Sequence, residues 1–192
     1  MTTLRRLARE RQGAAIAEFA LIAPVMLMTL FGLFDLGQGM YTKSLLQGAV
    51  EKASRDATIE GATTGALDAK VIAEVTRVAP GATVTFLRQS FSSFSSVGQP
   101  EDFTDTNSNG VCDAGETFED ANGNGVWDAA QGKTGNGGAR DAVLYTVTVS
   151  YPRILPIGRL IGQPNTSRMV AVTVLRNQPY GLQDQPATGT CP

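Results

Sequence analysis

Residues 13–36 read GAAIAEFALIAPVMLMTLFGLFDL, and this apolar stretch determines how the chain is organised. It carries no charged residue between Phe19 and Phe34. As a helix, residues 14–36 would span about 35 Å, enough to cross a hydrocarbon core of about 30 Å. Four arginines and one glutamate precede it within residues 1–13. The positive-inside rule therefore predicts that residues 1–13 form a basic cytoplasmic leader and that the remainder lies across the membrane.

The helix is predicted to continue beyond the bilayer. Apolar and small side chains recur at helical spacing, with charged residues between them. These side chains are Phe34, Tyr41, Leu45, Ala49 and Ala53. Residues 14–60 are thus predicted to form one transmembrane or spine helix about 70 Å long. Pro24 is predicted to kink it, because the proline ring displaces a backbone hydrogen bond.

The rest of the chain predicts a small α+β head over residues 61–176. An apolar helical face over residues 67–78 predicts a second helix, and alternating side chains predict about three antiparallel strands. The strands are expected at residues 83–88, 142–151 and 168–176. The polar, proline-rich residues 177–192 are predicted to form an extended tail.

The composition excludes several classes of function. The chain has no histidine, which removes Ser-His-Asp and Cys-His catalysis and histidine-ligated metals. Lys and Arg total 16 against 18 Asp and Glu, so there is no overall basic excess of the kind that nucleic-acid binders carry. No nucleophile–base pair is visible, and we expect no enzymatic activity.

Residues 102–138 form an acidic, Asn- and Gly-rich insertion that predicts two tandem calcium loops. The first follows the twelve-residue oxygen-ligand pattern at every position, with Gly110 at the sharp turn. Its candidate ligands are Asp105, Asn107, Asn109, Val111 through its carbonyl, Asp113 and Glu116. A second copy offers Asp120, Asn122, Asn124, Val126 through its carbonyl, and Asp128. Its twelfth position is Gln131, which predicts a weaker site or one that borrows Glu119 or water. The alternative is a polar linker that binds no ion.

Two cysteines, Cys112 and Cys191, allow at most one internal disulfide. In an oxidising periplasm they could pair and tie the tail to the first loop, because position 8 of such a loop points away from the ion. The alternative is two free thiols.

Three interpretations of the N-terminus compete. A secretory signal peptide lacks a convincing cleavage motif after Leu36. A plain signal-anchor leaves Glu18 unexplained, since a carboxylate near the membrane interior costs about 1–3 kcal/mol. The third interpretation uses Gly13, Ala14, Glu18 and Phe19 together. This pattern resembles the class III signal of type IV pilin-like proteins, which a prepilin peptidase would cut after Gly13.

The segment from residue 11 to residue 57 resembles more particularly the TadE-like pseudopilins of tight-adherence (Tad) pili. The features that carry this resemblance are Gly13, Ala14, Glu18, Phe19, Ala20, Leu21, Pro24, Phe31, Gly32, Asp35, Gly37, Tyr41 and Ala49. One departure is Asp35, where the family usually has Glu. The segment is about a quarter of the chain.

The resemblance implies a pilin-like fold and a minor pseudopilin that assembles or initiates a Tad-type pilus. The implied partners are a prepilin peptidase, other pseudopilins, the major pilin and the inner-membrane platform. The implied location is the bacterial inner membrane, with a cytoplasmic N-terminus, a periplasmic head and a place in or at the tip of an extracellular pilus. The alternative is an uncleaved, membrane-anchored module for calcium-dependent adhesion or binding.

Overall fold

The computed structural model describes residues 11–57, 63–155, 158, 162, 164–176 and 185–192. Most of the predicted leader, the far end of the predicted spine helix and residues 177–184 of the predicted tail lie outside these ranges.

The spine helix, α1, runs from Arg11 to Asp56. It begins before Gly13 and continues through Pro24 as one helix, and Ala57 lies in a turn after it. The prediction of a long N-terminal helix is confirmed. The structure places its last described helical residue a few positions before the predicted end at residue 60.

The two halves of α1 have different environments. Apolar side chains of the first half are largely exposed, among them Leu21 at 79% and Phe34 at 72%. In the second half, Leu46, Val50 and Ala53 are at most 3% exposed because they pack against the head. The helix is therefore attached to the head only along its C-terminal part.

A second helix, α2, covers Thr64–Val78 and packs against α1. It buries Leu67, Val71 and Val75, which lie on one face at spacings of four residues. Pro80 and Gly81 follow and turn the chain, and Gly81 has a φ of 76° that favours glycine.

The described residues form a four-stranded antiparallel sheet and a separate two-stranded one. The strands are β1 (Thr83–Phe91), β2 (Thr117–Asp120), β3 (Lys133–Thr134), β4 (Ala142–Pro152), β5 (Thr166–Arg176) and β6 (Ala187–Thr190). The larger sheet has the order β3-β1-β4-β5, and the smaller one pairs β2 with β6. The α+β class is confirmed, although three of the six strands were not predicted.

The core lies between one face of the larger sheet and the two helices. The alternation predicted for β4 is confirmed, with Tyr145, Val147, Val149 and Tyr151 at most 3% exposed. The remaining members of the core are Leu46, Val50, Ala53, Val71, Val75, Ala79 and Ala171. The burial of α1 against this sheet makes its second half an integral part of the head.

A further contact joins the head to α1 near the end of the apolar run. Arg153, just after β4, forms an ion pair with Asp35 of α1, and both side chains are less than a third exposed. Gly39 lies close to the methyl group of Met169 in β5. Asp35, which the family resemblance singled out, is thus the charged residue at which the helix first meets the head.

Candidate functional sites: the exposed half of α1 and the acidic loops

The N-terminal half of α1 presents an apolar surface with one acidic side chain. Glu18 and Phe19 are both exposed, and no described residue forms a hydrogen bond or an ion pair with Glu18. Gly13 is helical, and a Cβ built on it would meet no atom within 4 Å. The structure therefore leaves Gly13, Glu18 and Phe19 of the predicted processing segment accessible, and it leaves the charge of Glu18 unbalanced within the described chain.

Length and composition make α1 suitable for crossing a membrane. The range Ala15–Asp56 contains a window with a mean hydropathy of 2.1, and none of that window is buried in the protein. The core helix of a soluble protein would be mostly buried. An exposed apolar surface of this length requires a membrane or other apolar helices around it.

The first acidic loop closes on itself through hydrogen bonds. The carboxylate of Asp105 accepts the backbone N–H groups of Asn109 and Gly110, at 3.2 and 2.8 Å. The side-chain amides of Asn107 and Asn109 both donate to Oδ2 of Asp113, at 2.8 and 2.6 Å. The predicted turn at Gly110 has a φ of 76°.

Glu116 lies at the base of this loop and is 5% exposed. Its Oε1 accepts the backbone N–H and the hydroxyl of Thr106, both at 2.8 Å, and its Oε2 accepts the N–H of Asp113 at 3.0 Å. These bonds, led by that from Asp113, lower the pKa of Glu116. Hydrogen bonds from Asn107 and Asn109 likewise lower the pKa of Asp113. Both carboxylates are therefore favoured in their charged form.

The second loop repeats this hydrogen-bond pattern. Asp120 accepts the N–H groups of Asn124 and Gly125, at 3.0 and 2.8 Å, and the amides of Asn122 and Asn124 donate to Asp128, both at 2.6 Å. The two loops thus share this set of internal hydrogen bonds, in line with their matching sequences.

The carboxylates of these loops are not already gathered around an empty centre. No group of three or more Asp, Glu or Cys side chains in the described residues is arranged to hold an ion. Amide N–H groups occupy the space beside Asp113 and Asp128 instead. An ion would therefore have to replace these donors.

The loops are anchored by a disulfide and a short sheet. Cys112 is bonded to Cys191, with a Cα–Cα distance of 5.6 Å. Strand β6 pairs with β2 between the loops, and the N–H of Cys191 donates to the carbonyl of Glu116 at 2.8 Å. Phe118 in β2 is 1% exposed and lies against Gly189, where a Cβ would come within 2.4 Å of its ring. The C-terminal segment is therefore part of the loop region.

A partly buried polar network in the head was not predicted. The hydroxyl of Tyr145 donates to Asp68 at 2.8 Å, and Arg88 forms an ion pair with Asp68 while its guanidinium lies 4.4 Å from the Tyr145 ring centre. Burial and the bond to Asp68 raise the pKa of Tyr145. Because these three residues come from three elements far apart in sequence, no local pattern could have signalled the network.

Among the residues that the structure describes, one apolar helix leaves the head with its N-terminal half exposed, which indicates a single-pass membrane anchor. Residues 13–55 match the family model described as TadE-like protein, which confirms the resemblance noted from the sequence. The match indicates a Tad pilus-associated protein, and it covers less than a quarter of the chain. Among curated proteins and solved structures, none matches the chain.

Proposed function

We propose that this chain is a minor pseudopilin that assembles or initiates a Tad-type pilus after a prepilin peptidase cuts it behind Gly13. The observation that carries the proposal is the exposed apolar half of α1, with an unpaired Glu18, inside the segment that matches the TadE-like family. The protein would perform no chemistry. Its work would be the packing of α1 against the helices of other pseudopilins and of the major pilin.

Cleavage after Gly13 would give Glu18 a partner. It would create a free ammonium group on Ala14, and the carboxylate of Glu18 would pair with such a group on a neighbouring subunit. Each charge is costly in an apolar helix bundle when it is alone, and the pair is less costly. Because the two groups must meet, the pair would also set the axial offset between neighbouring subunits.

The topology follows from the same segment. The basic leader would remain in the cytoplasm, next to the peptidase and the inner-membrane platform, and the head would lie in the periplasm or at the tip of the pilus. A periplasmic location suits the disulfide between Cys112 and Cys191, since disulfides persist in oxidising compartments.

We further propose that the acidic loops bind calcium outside the cytoplasm. Their oxygen donors are the kind that calcium prefers, and the Asn residues at positions 3 and 5 keep the ligand charge low. An affinity in the range of extracellular modules, with a dissociation constant of about 10⁻⁴–10⁻³ M, is therefore expected. The ion would offset the repulsion among the acidic side chains and stabilise the loops.

Processing can be tested in cells that contain the Tad assembly system. We expect the isolated protein to begin at Ala14, and Gly13→Val to prevent this cleavage and retain the full mass. Gly48→Val is the matched control, because Gly48 is an exposed helical glycine with no atom within 4 Å of a built Cβ. Persistence of Met1 in the wild-type protein would contradict the proposal and support an uncleaved membrane-anchored module.

A second experiment separates processing from assembly. Glu18→Gln should still be cleaved after Gly13, but it should fail to enter or support the pilus, because the neutral side chain cannot balance the Ala14 ammonium. The readout is the amount of pilus sheared from the cells. Normal piliation with Glu18→Gln would refute the role given to this carboxylate.

A further inference from the structure

The segment before the first acidic loop runs antiparallel to β2. Phe103 and Phe118 form an isolated antiparallel β-bridge. On one side of it, the N–H of Thr104 donates to the carbonyl of Thr117 at 2.8 Å. On the other side, the N–H of Glu119 donates to the carbonyl of Asp102, also at 2.8 Å. These contacts fix the register of the two segments.

Extending that register by one step at each end relates the two loops. At one end Asp105 comes opposite Glu116, which are the first and twelfth positions of the first loop. At the other end Asp120, the first position of the second loop, comes opposite Glu101. Glu101 therefore has the same placement relative to the second loop as Glu116 has relative to the first.

The hydrogen bonds of Glu101 agree with this equivalence. Its Oε1 accepts the N–H of Ala121 at 2.9 Å, and its Oε2 accepts the N–H of Asp128 at 3.0 Å. Ala121 and Asp128 are the second and ninth positions of the second loop. Glu116 accepts the N–H groups of the same two positions in the first loop.

The two residues that the sequence suggested for this role are placed elsewhere. The side-chain amide of Gln131, at the twelfth position, donates to the carbonyl of Pro100 at 2.9 Å. Its backbone N–H donates to the carbonyl of Gln99. It thereby holds the segment that leads into Glu101. Glu119 is exposed on β2.

The burial of Glu101 calls for a positive charge. Its side chain is 1% exposed, yet within the part of the chain that the structure describes neither Glu101 nor Glu116 forms an ion pair. An ionised carboxylate that is buried without a cation is costly, and a bound cation removes that cost. Backbone hydrogen bonds also fix the position of Glu101. Its N–H donates to the carbonyl of Asp128, and its carbonyl accepts the indole N–H of Trp127, both at 2.9 Å.

We propose that Glu101, which lies outside both loops, supplies the twelfth-position carboxylate of the second calcium site. This inference rests on the proposed binding of calcium by the loops. The second site is therefore complete rather than weakened by Gln131, and its ligands come from two separate segments. Calcium binding would then join the segment before the first loop to the second loop.

The chain provides a selective probe for this site. Trp127 is the only tryptophan, and it occupies position 8 of the second loop. Terbium, a calcium mimic, should emit when Trp127 is excited, and added calcium should displace it. Full-length protein in detergent micelles is titrated with terbium and then with calcium. Glu101→Gln should weaken this binding by at least about tenfold, because it removes a charged ligand from the site.

Two matched variants complete the test. Glu119→Gln should leave the terbium signal unchanged, since that side chain is exposed. Glu116→Gln should remove one calcium from the stoichiometry measured by calorimetry and leave the Trp127-sensitised signal in place. Circular dichroism in chelator checks that Glu101→Gln is folded. If it is not folded, Glu101→Asp is measured instead, and its shorter carboxylate should also weaken binding.

The outcomes distinguish the two proposals. No terbium signal, together with no calcium-dependent change in melting temperature of the wild-type protein, would overturn calcium binding altogether. A wild-type signal that Glu101→Gln, or the folded Glu101→Asp, leaves unchanged would overturn the role of Glu101 and leave calcium binding intact.

Discussion

The division of α1 into an exposed half and a half packed against the head predicts that two similar substitutions change the stability of the head by very different amounts. Leu46 is 0% exposed in the core, whereas Leu33 in the exposed half is 62% exposed. Truncation of a buried leucine to alanine costs about 3 kcal/mol through lost burial and a residual cavity. Leu46→Ala should therefore destabilise the head by about this amount, and Leu33→Ala should change its stability by less than about 0.5 kcal/mol.

Hydrogen exchange of the β4 amides in detergent micelles measures this difference. Strand β4 pairs with both β1 and β5, so its amides report the opening of the whole sheet. A loss of 3 kcal/mol corresponds to exchange that is faster by roughly a hundredfold. Leu33→Ala should keep wild-type protection. Equal protection in the two variants would refute the conclusion that the second half of α1 belongs to the core of the head.

Three further predictions concern the head. Cys191→Ser removes a cross-link between residues 79 apart in sequence, and this cross-link limits the conformational entropy of the unfolded chain. The free energy of unfolding measured in urea should therefore fall by about 4 kcal/mol. A loss below about 1 kcal/mol would contradict this entropy argument. Tyr145→Phe should cost about 1 kcal/mol at neutral pH. Because the pKa of Tyr145 is raised in the folded protein, wild-type stability should also fall as pH rises above about 10, and the variant should show a flatter profile in alkaline melting curves. Asp113 and Glu116 have lowered pKa values, so their stabilisation is present above about pH 4 and lost below it. Amide protection factors in the first loop should therefore drop between pH 5 and pH 3, and unchanged factors would argue against these hydrogen bonds.

Long periodic segments were predictable from the sequence because their signal is local. The alternation of β4 and the apolar spacing of α2 both reflect burial on one face, which repeats with the period of the element. The apolar run of α1 is too long for a strand or a short core helix, so a long helix was the expected structure. The structure confirms each of these and lengthens β1 to Phe91, because Ser90 pairs with both Lys133 and Val143.

The short strands were not predictable, since each depends on a partner far away in sequence. Strands β2 and β6 have four residues each and lie among turn-forming residues, so neither has a period to detect. Their pairing is set by the buried ring of Phe118, by Gly189 beside it and by the disulfide.

The candidate calcium ligands illustrate the same limit. Residues inside each loop follow a spacing rule, and the sequence predicted them as ligands from that rule alone. Glu101 lies outside that rule, and only the register of the segment around Phe103 against β2 shows its equivalence to Glu116. The sequence suggested Glu119 because it is near the second loop along the chain, but strand geometry turns that side chain to solvent.

The ion pair between Asp35 and Arg153 marks a fixed point on α1 from which axial distances to the head can be measured. Glu18 lies seventeen residues before Asp35, a rise of about 25 Å along the axis. Of these two acids on α1, Asp35 already has a counter-charge from the same molecule, the guanidinium of Arg153. Within residues 13–36, Glu18 is therefore the acid that the described chain leaves without a counter-charge. In the proposed pilus, the ammonium of a neighbouring subunit would meet this acid at a fixed axial distance from the point where the head is joined to α1.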